Sequence, residues 1–204
     1  MPLRLALLAV ALAAAVARPA FPAPDAGERV LAQQPPDVVE ALLRDKVVLA
    51  TQGGSPVVRG LVIFGKPVDR VYELLAQTSR QREFRTDLAG LETLETLRDG
   101  SIEEHRLRIL FLDIRYSLRN RLDRERRRIS WELARGFEQD LQRVEGSWKL
   151  YPLPQDRTLG VFRTRVEVGP AMPEFLQDYA TRKNLPGTLA RCRRWVDGNG
   201  RIDD

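Results

Sequence analysis

Met172–Val196, MPEFLQDYATRKNLPGTLARCRRWV, is the stretch whose reading decides the fold. In its second half Leu185, Leu189, Cys192 and Val196 follow at helical spacings and share one face, while Arg191, Arg193 and Arg194 point elsewhere. In its first half Phe175, Leu176 and Tyr179 follow Pro173, which suits a first helical turn because its missing N–H has no intrahelical partner there. Pro186 is expected to break or kink the helix between the halves. An apolar helical face needs an apolar partner, and most of the preceding 110 or so residues read as strands, so the expectation is a sheet wrapped around a C-terminal helix.

The strands show themselves by a period of two. Leu107, Ile109 and Phe111 alternate with Arg106, Arg108 and Leu110, within a strand read over Ile102–Asp113. Next, Ile114, Tyr116, Leu118, Asn120 and Leu122 alternate with Arg115, Ser117, Arg119 and Arg121, as in a half-buried antiparallel strand. Ile129, Trp131 and Leu133 continue the row after a turn at Asp123–Arg126. Val144–Leu153 and Leu159–Val168 form the last pair, with Gly146, Trp148 and Leu150 facing Phe162, Thr164 and Val166. Leu91–Leu97 precedes them, joined to Ile102 through Asp99-Gly100, a hairpin signal.

Upstream, Lys46–Thr51 and Val57–Phe64 read as a hairpin around Gly53-Gly54-Ser55-Pro56. Val68, Val71, Tyr72 and Leu75 then recur at helical spacing, and Ser79–Phe84 is a second short helix. Asp37–Arg44 is a short amphipathic helix with Asp37 as its cap. Gly198-Asn199-Gly200 stops the last helix. Unbroken hairpins with helices at few points indicate α+β rather than alternating βαβ. A curved sheet that grips one helix leaves a space between them, and with too few apolar side chains to fill it that space is a cavity for an apolar ligand.

The N-terminus is separate in character. Met1–Arg4 is short and basic, Leu5–Ala17 is apolar, and Ala15-Val16-Ala17 fits a signal-peptidase site. The expected organisation is a signal peptide over 1–17, a flexible linker over 18–36, one domain over 37–198 and a tail over 199–204, the mature protein being periplasmic or secreted. The apolar run is well short of the roughly 20 residues that span a bilayer. Cys192 is the single cysteine, so no intrachain disulfide is possible and a buried, inert thiol is expected.

With this order in hand, the chain resembles the START-like superfamily of helix-grip proteins, in its polyketide cyclase/dehydrase and coenzyme-Q-binding branch. The resemblance rests on Pro67-Val68-Asp69-Arg70-Val71-Tyr72, Glu145-Gly146-Ser147-Trp148-Lys149-Leu150, the final strand Thr158–Arg165, and Met172-Pro173 with Leu185-Pro186 and Leu189. It covers roughly Lys46 to Val196. It implies a START/Bet v 1-like helix-grip fold and a deep hydrophobic cavity for lipids, quinones, isoprenoids or polycyclic molecules. It transfers no catalytic residue, because the superfamily has no common catalytic motif.

Reactive chemistry is sparse. His105 is the only histidine, so zinc held by histidine and cysteine is implausible, and neither a metal nor a cofactor is expected. His105 shares a face with Leu107 and Ile109 and is a candidate acid or base, with Tyr116 a second candidate through its hydroxyl. The candidate ligand-binding residues are Phe111, Tyr116, Leu118, Trp131, Trp148, Phe162 and Tyr179, which equally suit an ordinary core. Glu103 and Glu104 face opposite sides of a strand and are not a paired-carboxylate site.

The formal charge is +5. Arg106, Arg108, Arg115, Arg119, Arg121, Arg124 and Arg126-Arg127-Arg128 read as a basic face for peripheral contact with an anionic membrane, or as a solvated face paired with acids. Nucleic acid is not an expected partner, since no stacking platform interleaves those charges. The expectation is a monomeric, exported carrier of a hydrophobic small molecule. The alternative is a cyclase or dehydratase acting on a polyketide-like substrate in the same cavity.

Overall fold

A computed structural model of the chain describes residues 26–49, 57–109, 111–169, 173, 176 and 184–202. Two helices, α1 (Ala26–Ala32) and α2 (Pro36–Asp45), lead into strands β1 (Val47–Leu49) and β2 (Val57–Phe64). Helix α3 (Val68–Leu75) and the 3-10 helix Thr78–Glu83 follow. Six strands then run in sequence: β3 (Leu88–Leu97), β4 (Gly100–Ile109), β5 (Leu112–Asp123), β6 (Arg128–Leu133), β7 (Leu141–Leu153) and β8 (Arg157–Val168). Helix α4 (Leu185–Asp197) closes the chain. This is the α+β order that the alternation and helical spacing predict.

The eight strands form one sheet in the order β1-β2-β8-β7-β6-β5-β4-β3, every neighbouring pair antiparallel. Consecutive hairpins account for every pairing except that of β2 with β8, which brings the first hairpin beside the last strand. The register sets Trp148 opposite Phe162 and Gly146 opposite Thr164, as the alternation predicts. Bulges between Leu88 and Gly90, Thr93 and Glu95, and Leu141 and Arg143 interrupt the ladders. Such interruptions bend strands and increase their twist, which suits a sheet that must curve.

The inward row of each strand makes the concave face, which carries two apolar clusters. One gathers Val62 and Phe64 of β2, Val71 and Tyr72 of α3, Trp148, Phe162, and Leu185, Leu189, Cys192, Trp195 and Val196 of α4. The other gathers Leu107, Ile109, Ile114, Tyr116, Leu118, Leu141, Val144 and Leu176 toward the far end of the long strands. On the convex face Val30 and Leu31 of α1 and Leu42 of α2 cover Leu61, Ile63, Leu159 and Val161.

Several local expectations change. The segment read as a tether carries α1, whose Gly27 is packed so closely that an added Cβ would stand 2.3 Å from the Pro152 carbonyl oxygen. Its short apolar set, Val30 and Leu31, gives too little periodicity to stand out in the sequence. Helix α2 begins at Pro36 with Pro35 in the cap position, so Asp37 lies in the first turn, where its charge favours the helix dipole without capping it. Pro186 occupies the first turn of α4, where no N–H is needed from it, so a helix begins at Leu185 as a break there requires; the residues before Asn184 lie mostly outside the described ones. The signal peptide, the Gly53–Pro56 turn and most of the segment before α4, including Phe175 and Tyr179, fall outside the described residues.

Trp195 completes the α4 face beside Cys192 and is 1% exposed. Its indole Nε1 donates to Glu83 Oε2 at 2.8 Å, and its ring lies 5.2 Å from Phe84, tying α4 to the 3-10 helix. Replacing Trp195 with phenylalanine keeps a ring and removes that donor. The expected cost is about 1–2 kcal/mol, read as a lower urea midpoint at unchanged slope.

Candidate functional site

A cavity of about 170 Å³ lies on the concave face between the two apolar clusters. That is on the scale of the ~150 Å³ engineered cavity that admits benzene. The strands contribute Leu107, Ile109, Ile114, Tyr116, Leu118, Ile129, Trp131, Trp148, Phe162 and Val166, and α4 contributes Leu185, Leu189 and Cys192. The aromatic wall is built by register. Gly146 stands opposite Trp131, and the indole lies over it, since a Cβ there would come within 2.4 Å of Trp131 Cζ2. Trp148 meets Phe162 edge-on at 4.9 Å, and Trp131 lies 5.5 Å from the same phenyl ring.

Of the sequence candidates, Tyr116, Leu118, Trp131, Trp148 and Phe162 therefore come together around one space. Phe111 does not. Ile109 pairs with Leu112, so only two residues join β4 to β5, and Phe111 sits at that hairpin tip, 80% exposed. Reading one strand through Ile102–Asp113 placed it in the inward row, because the apolar run Ile109-Leu110-Phe111-Leu112 carries no turn chemistry. Tyr179 is outside the described residues.

His105 is 0% exposed and stands behind the cavity wall, stacked on Tyr116 at 5.2 Å between ring centroids. Burial pushes its pKa below the ordinary histidine value against the pull of Glu103, which favours a neutral imidazole. Its Nε2 is 3.8 Å from Glu103 Oε2, beyond hydrogen-bond reach, and neither ring nitrogen has a hydrogen-bond partner. Tyr116, not His105, borders the space.

Two polar groups interrupt the apolar lining, and sequence reasoning missed both. In the first, Arg85 and Asp87 pair through Nη2–Oδ2 at 2.9 Å, with Arg85 Nη1 donating to Gln81 Oε1 at 3.3 Å. Burial alone would raise the Asp87 carboxyl, but Arg85, whose charge and hydrogen bonds act on it, holds it below the usual range. Burial also pushes the Tyr116 phenol up, with Arg85 beside it opposing, so the hydroxyl stays protonated and able to donate. In the second, Glu103, 1% exposed, accepts from Thr78 Oγ1 at 2.5 Å, Ser101 Oγ at 2.9 Å and Asn120 Nδ2 at 2.9 Å. Burial works to raise that carboxyl, and the neighbouring His105, with the Thr78 and Ser101 hydrogen bonds, holds it lowered. Thr78 and Asn120 of this network face the cavity.

The inward position of Glu103 was available from the sequence, since it shares a strand face with His105 and Leu107. Arg85 and Asp87 had no comparable signal. Among the described residues no three histidine, cysteine, aspartate or glutamate side chains are grouped as metal ligands. The Cys192 thiol is buried and its pKa is raised, chiefly by desolvation, which leaves it unreactive.

The basic face is largely neutralised. Arg106 pairs with Glu104 and Glu92, Arg108 with Asp113, Arg115 with Glu138, Arg119 with Asp99 and Arg121 with Glu132. Arg124, Arg126 and Arg127 pair with Glu73, Asp123 and Asp69. These exposed pairs add little to stability, and each sets an acid beside an arginine that an anionic surface would meet.

A family model described as polyketide cyclase / dehydrase and lipid transport matches residues 64–191. Among solved structures, an aromatase/cyclase (Zhui) from Streptomyces sp. R1128 has a TM-score of 0.57 at 19% identity, covering 72% of this chain and 98% of its own. A STAR-related lipid transfer protein fragment from Xanthomonas axonopodis has a TM-score of 0.56 at 19% identity, covering 74% and 92%. A START superfamily protein from Mycobacterium smegmatis has a TM-score of 0.54 at 17% identity, covering 70% and 94%. At these identities the structural likeness establishes the helix-grip fold. No curated protein matches the chain.

Proposed function

This chain belongs to the polyketide cyclase/dehydrase and lipid transport family, and from that premise we propose that it is an exported carrier of one hydrophobic small molecule of the lipid, quinone or isoprenoid class. The observation that carries the reading is the cavity under α4. Its walls are aliphatic and aromatic, and its charged groups, Arg85 and Asp87, already neutralise each other. Such a lining suits an apolar body with a neutral oxygen placed near Tyr116 and Arg85, and disfavours a multiply charged ligand, whose desolvation nothing there would offset. Met1–Ala17 supports export to the periplasm or beyond.

Mass spectrometry of organic extracts from natively purified protein tests the carrier reading, together with uptake of fluorescent lipids from solution. A co-purifying lipid or isoprenoid is the expected result; repeated absence of one with no probe uptake rejects it. Tyr116→Phe should retain the guest but weaken a carbonyl-bearing one by up to about tenfold, the worth of one neutral hydrogen bond.

A second reading, a cyclase or dehydratase, is favoured specifically by the Tyr116 hydroxyl and Arg85 guanidinium on the cavity wall, where they can polarise a bound carbonyl. Turnover of a polyketide-like substrate that disappears in Tyr116→Phe would select it. Turnover unchanged in both Tyr116→Phe and His105→Ala would remove those residues as candidates.

A further inference from the structure

We infer that the outward face of β5 to β8 carries a binding site for a tetrahedral oxyanion, free phosphate or a small soluble phosphomonoester, centred on the Ser130 and Ser147 hydroxyls. The site lies on the opposite face of the sheet from the cavity and is independent of what the cavity carries. Ile129, Trp131 and Trp148 turn inward to line the cavity, so Ser130 and Ser147 between and beside them turn outward. The register sets the two serines directly opposite each other. Cross-strand neighbours stand about 5 Å apart, so both hydroxyls can donate to one anion. The same row continues to Arg121 beside Ser130 and to Arg163 beside Ser147, which gives Arg-Ser-Ser-Arg across four strands.

Shape and charge at this row point the same way. An open recess of about 290 Å³ lies over the serines, with Arg121 and Arg128 in its wall. Serine is the shortest side chain that carries a donor, so it leaves room where a longer outward residue would fill the space. Neither hydroxyl has a hydrogen-bond partner among the described residues. Helices α1 and α2 cover Leu61, Ile63, Leu159 and Val161 on this face and leave the serine row open. Arg128 stands directly opposite Lys149, and Arg163 directly opposite Arg59, and like charges so placed destabilise a strand pair. Arg121 is paired with Glu132 at 3.1 Å, but Arg128 and Arg163 have no ion pair among the described residues. A bound anion would relieve both like-charge pairs. Its class follows from the remaining side, where Glu132 and Glu145 face each other and repel an extended polyanion or an anionic bilayer. A single phosphate, with a charge of about −1.5 to −2, matches the two uncompensated guanidiniums.

Isothermal titration of inorganic phosphate into the mature chain, in a phosphate-free buffer of low ionic strength, tests the inference. One phosphate should bind per chain, sulfate should compete because it shares the tetrahedral shape, and nitrate at the same ionic strength should not. The double variant Ser130→Ala/Ser147→Ala and the single variant Arg163→Gln should each weaken binding about tenfold or more. Arg98→Gln, which removes an equal charge from the β3–β4 turn, should leave it unchanged, and circular dichroism should show every variant folded. Glycerol 3-phosphate should bind as phosphate does. The inference is overturned if phosphate does not bind, if nitrate competes as well as sulfate, or if Arg98→Gln weakens binding as much as Arg163→Gln, which would mean diffuse attraction to a basic protein. It is also overturned if the double serine variant binds as the wild type does, or if vesicles of phosphatidic acid bind where free phosphate does not.

Discussion

Replacing Asp87 with alanine should lower the unfolding free energy by about 3 kcal/mol, the low end for breaking a buried ion pair. The magnitude comes from what is left behind more than from what is removed. Asp87 is almost wholly enclosed, and the Arg85 side chain keeps 17% of its surface in solvent. Without the carboxylate the guanidinium retains Gln81 and Tyr116 beside it but no counter-charge. Asp87→Asn should cost less, since the amide oxygen still accepts from Arg85. Urea unfolding at neutral pH reads both, and a loss under 1 kcal/mol in Asp87→Ala would mean that water reaches Arg85 and screens it.

The same groups predict an acid-labile fold that fails in two stages. His105 titrates below its unfolded value because it is buried, so the unfolded chain takes up its proton first, and stability declines as pH falls through about 6.5. Asp87 and Glu103 are held below their ordinary values, so their contribution is present above the unfolded carboxylate range and is lost as pH falls from about 4 toward their folded values. A His105→Phe variant should lose the first stage and keep the second. Asp87→Asn should do the reverse, apart from the share of the second stage that belongs to Glu103.

How much of this was legible beforehand depends on whether a residue's role is set by local period or by distant packing. The inward rows of β5 to β8 were readable because alternation fixes the face, and Trp131, Trp148 and Phe162 meet as that pattern requires. Cys192 and Val196 were readable from helical spacing, yet Trp195, on the same buried side, was masked by the arginines around it. Phe111 misled because an apolar run hides a turn made of apolar residues. Arg85 and Asp87 were invisible for a different reason. They sit between elements, and only the approach of Tyr116 on β5 and of Asn184 makes them part of a cavity wall.

Filling the cavity is the most direct way to separate carrier from scaffold, and Leu118→Trp should do it. Leu118 is central on β5, 5% exposed, and borders the space without belonging to either polar group. An indole at that position consumes much of a cavity of about 170 Å³. Overpacking should cost about 1–3 kcal/mol of stability, which leaves the fold intact. A guest excluded from that wall loses apolar burial at about 25 cal/mol per Å², so the affinity for a fluorescent lipid should fall on the order of 100-fold. Leu118→Ala enlarges the same space and should shift preference toward bulkier guests even as stability falls. If Leu118→Trp binds the probe as the wild type does, the guest lies elsewhere on the protein, and the hollow under α4 is a packing defect with no part in binding.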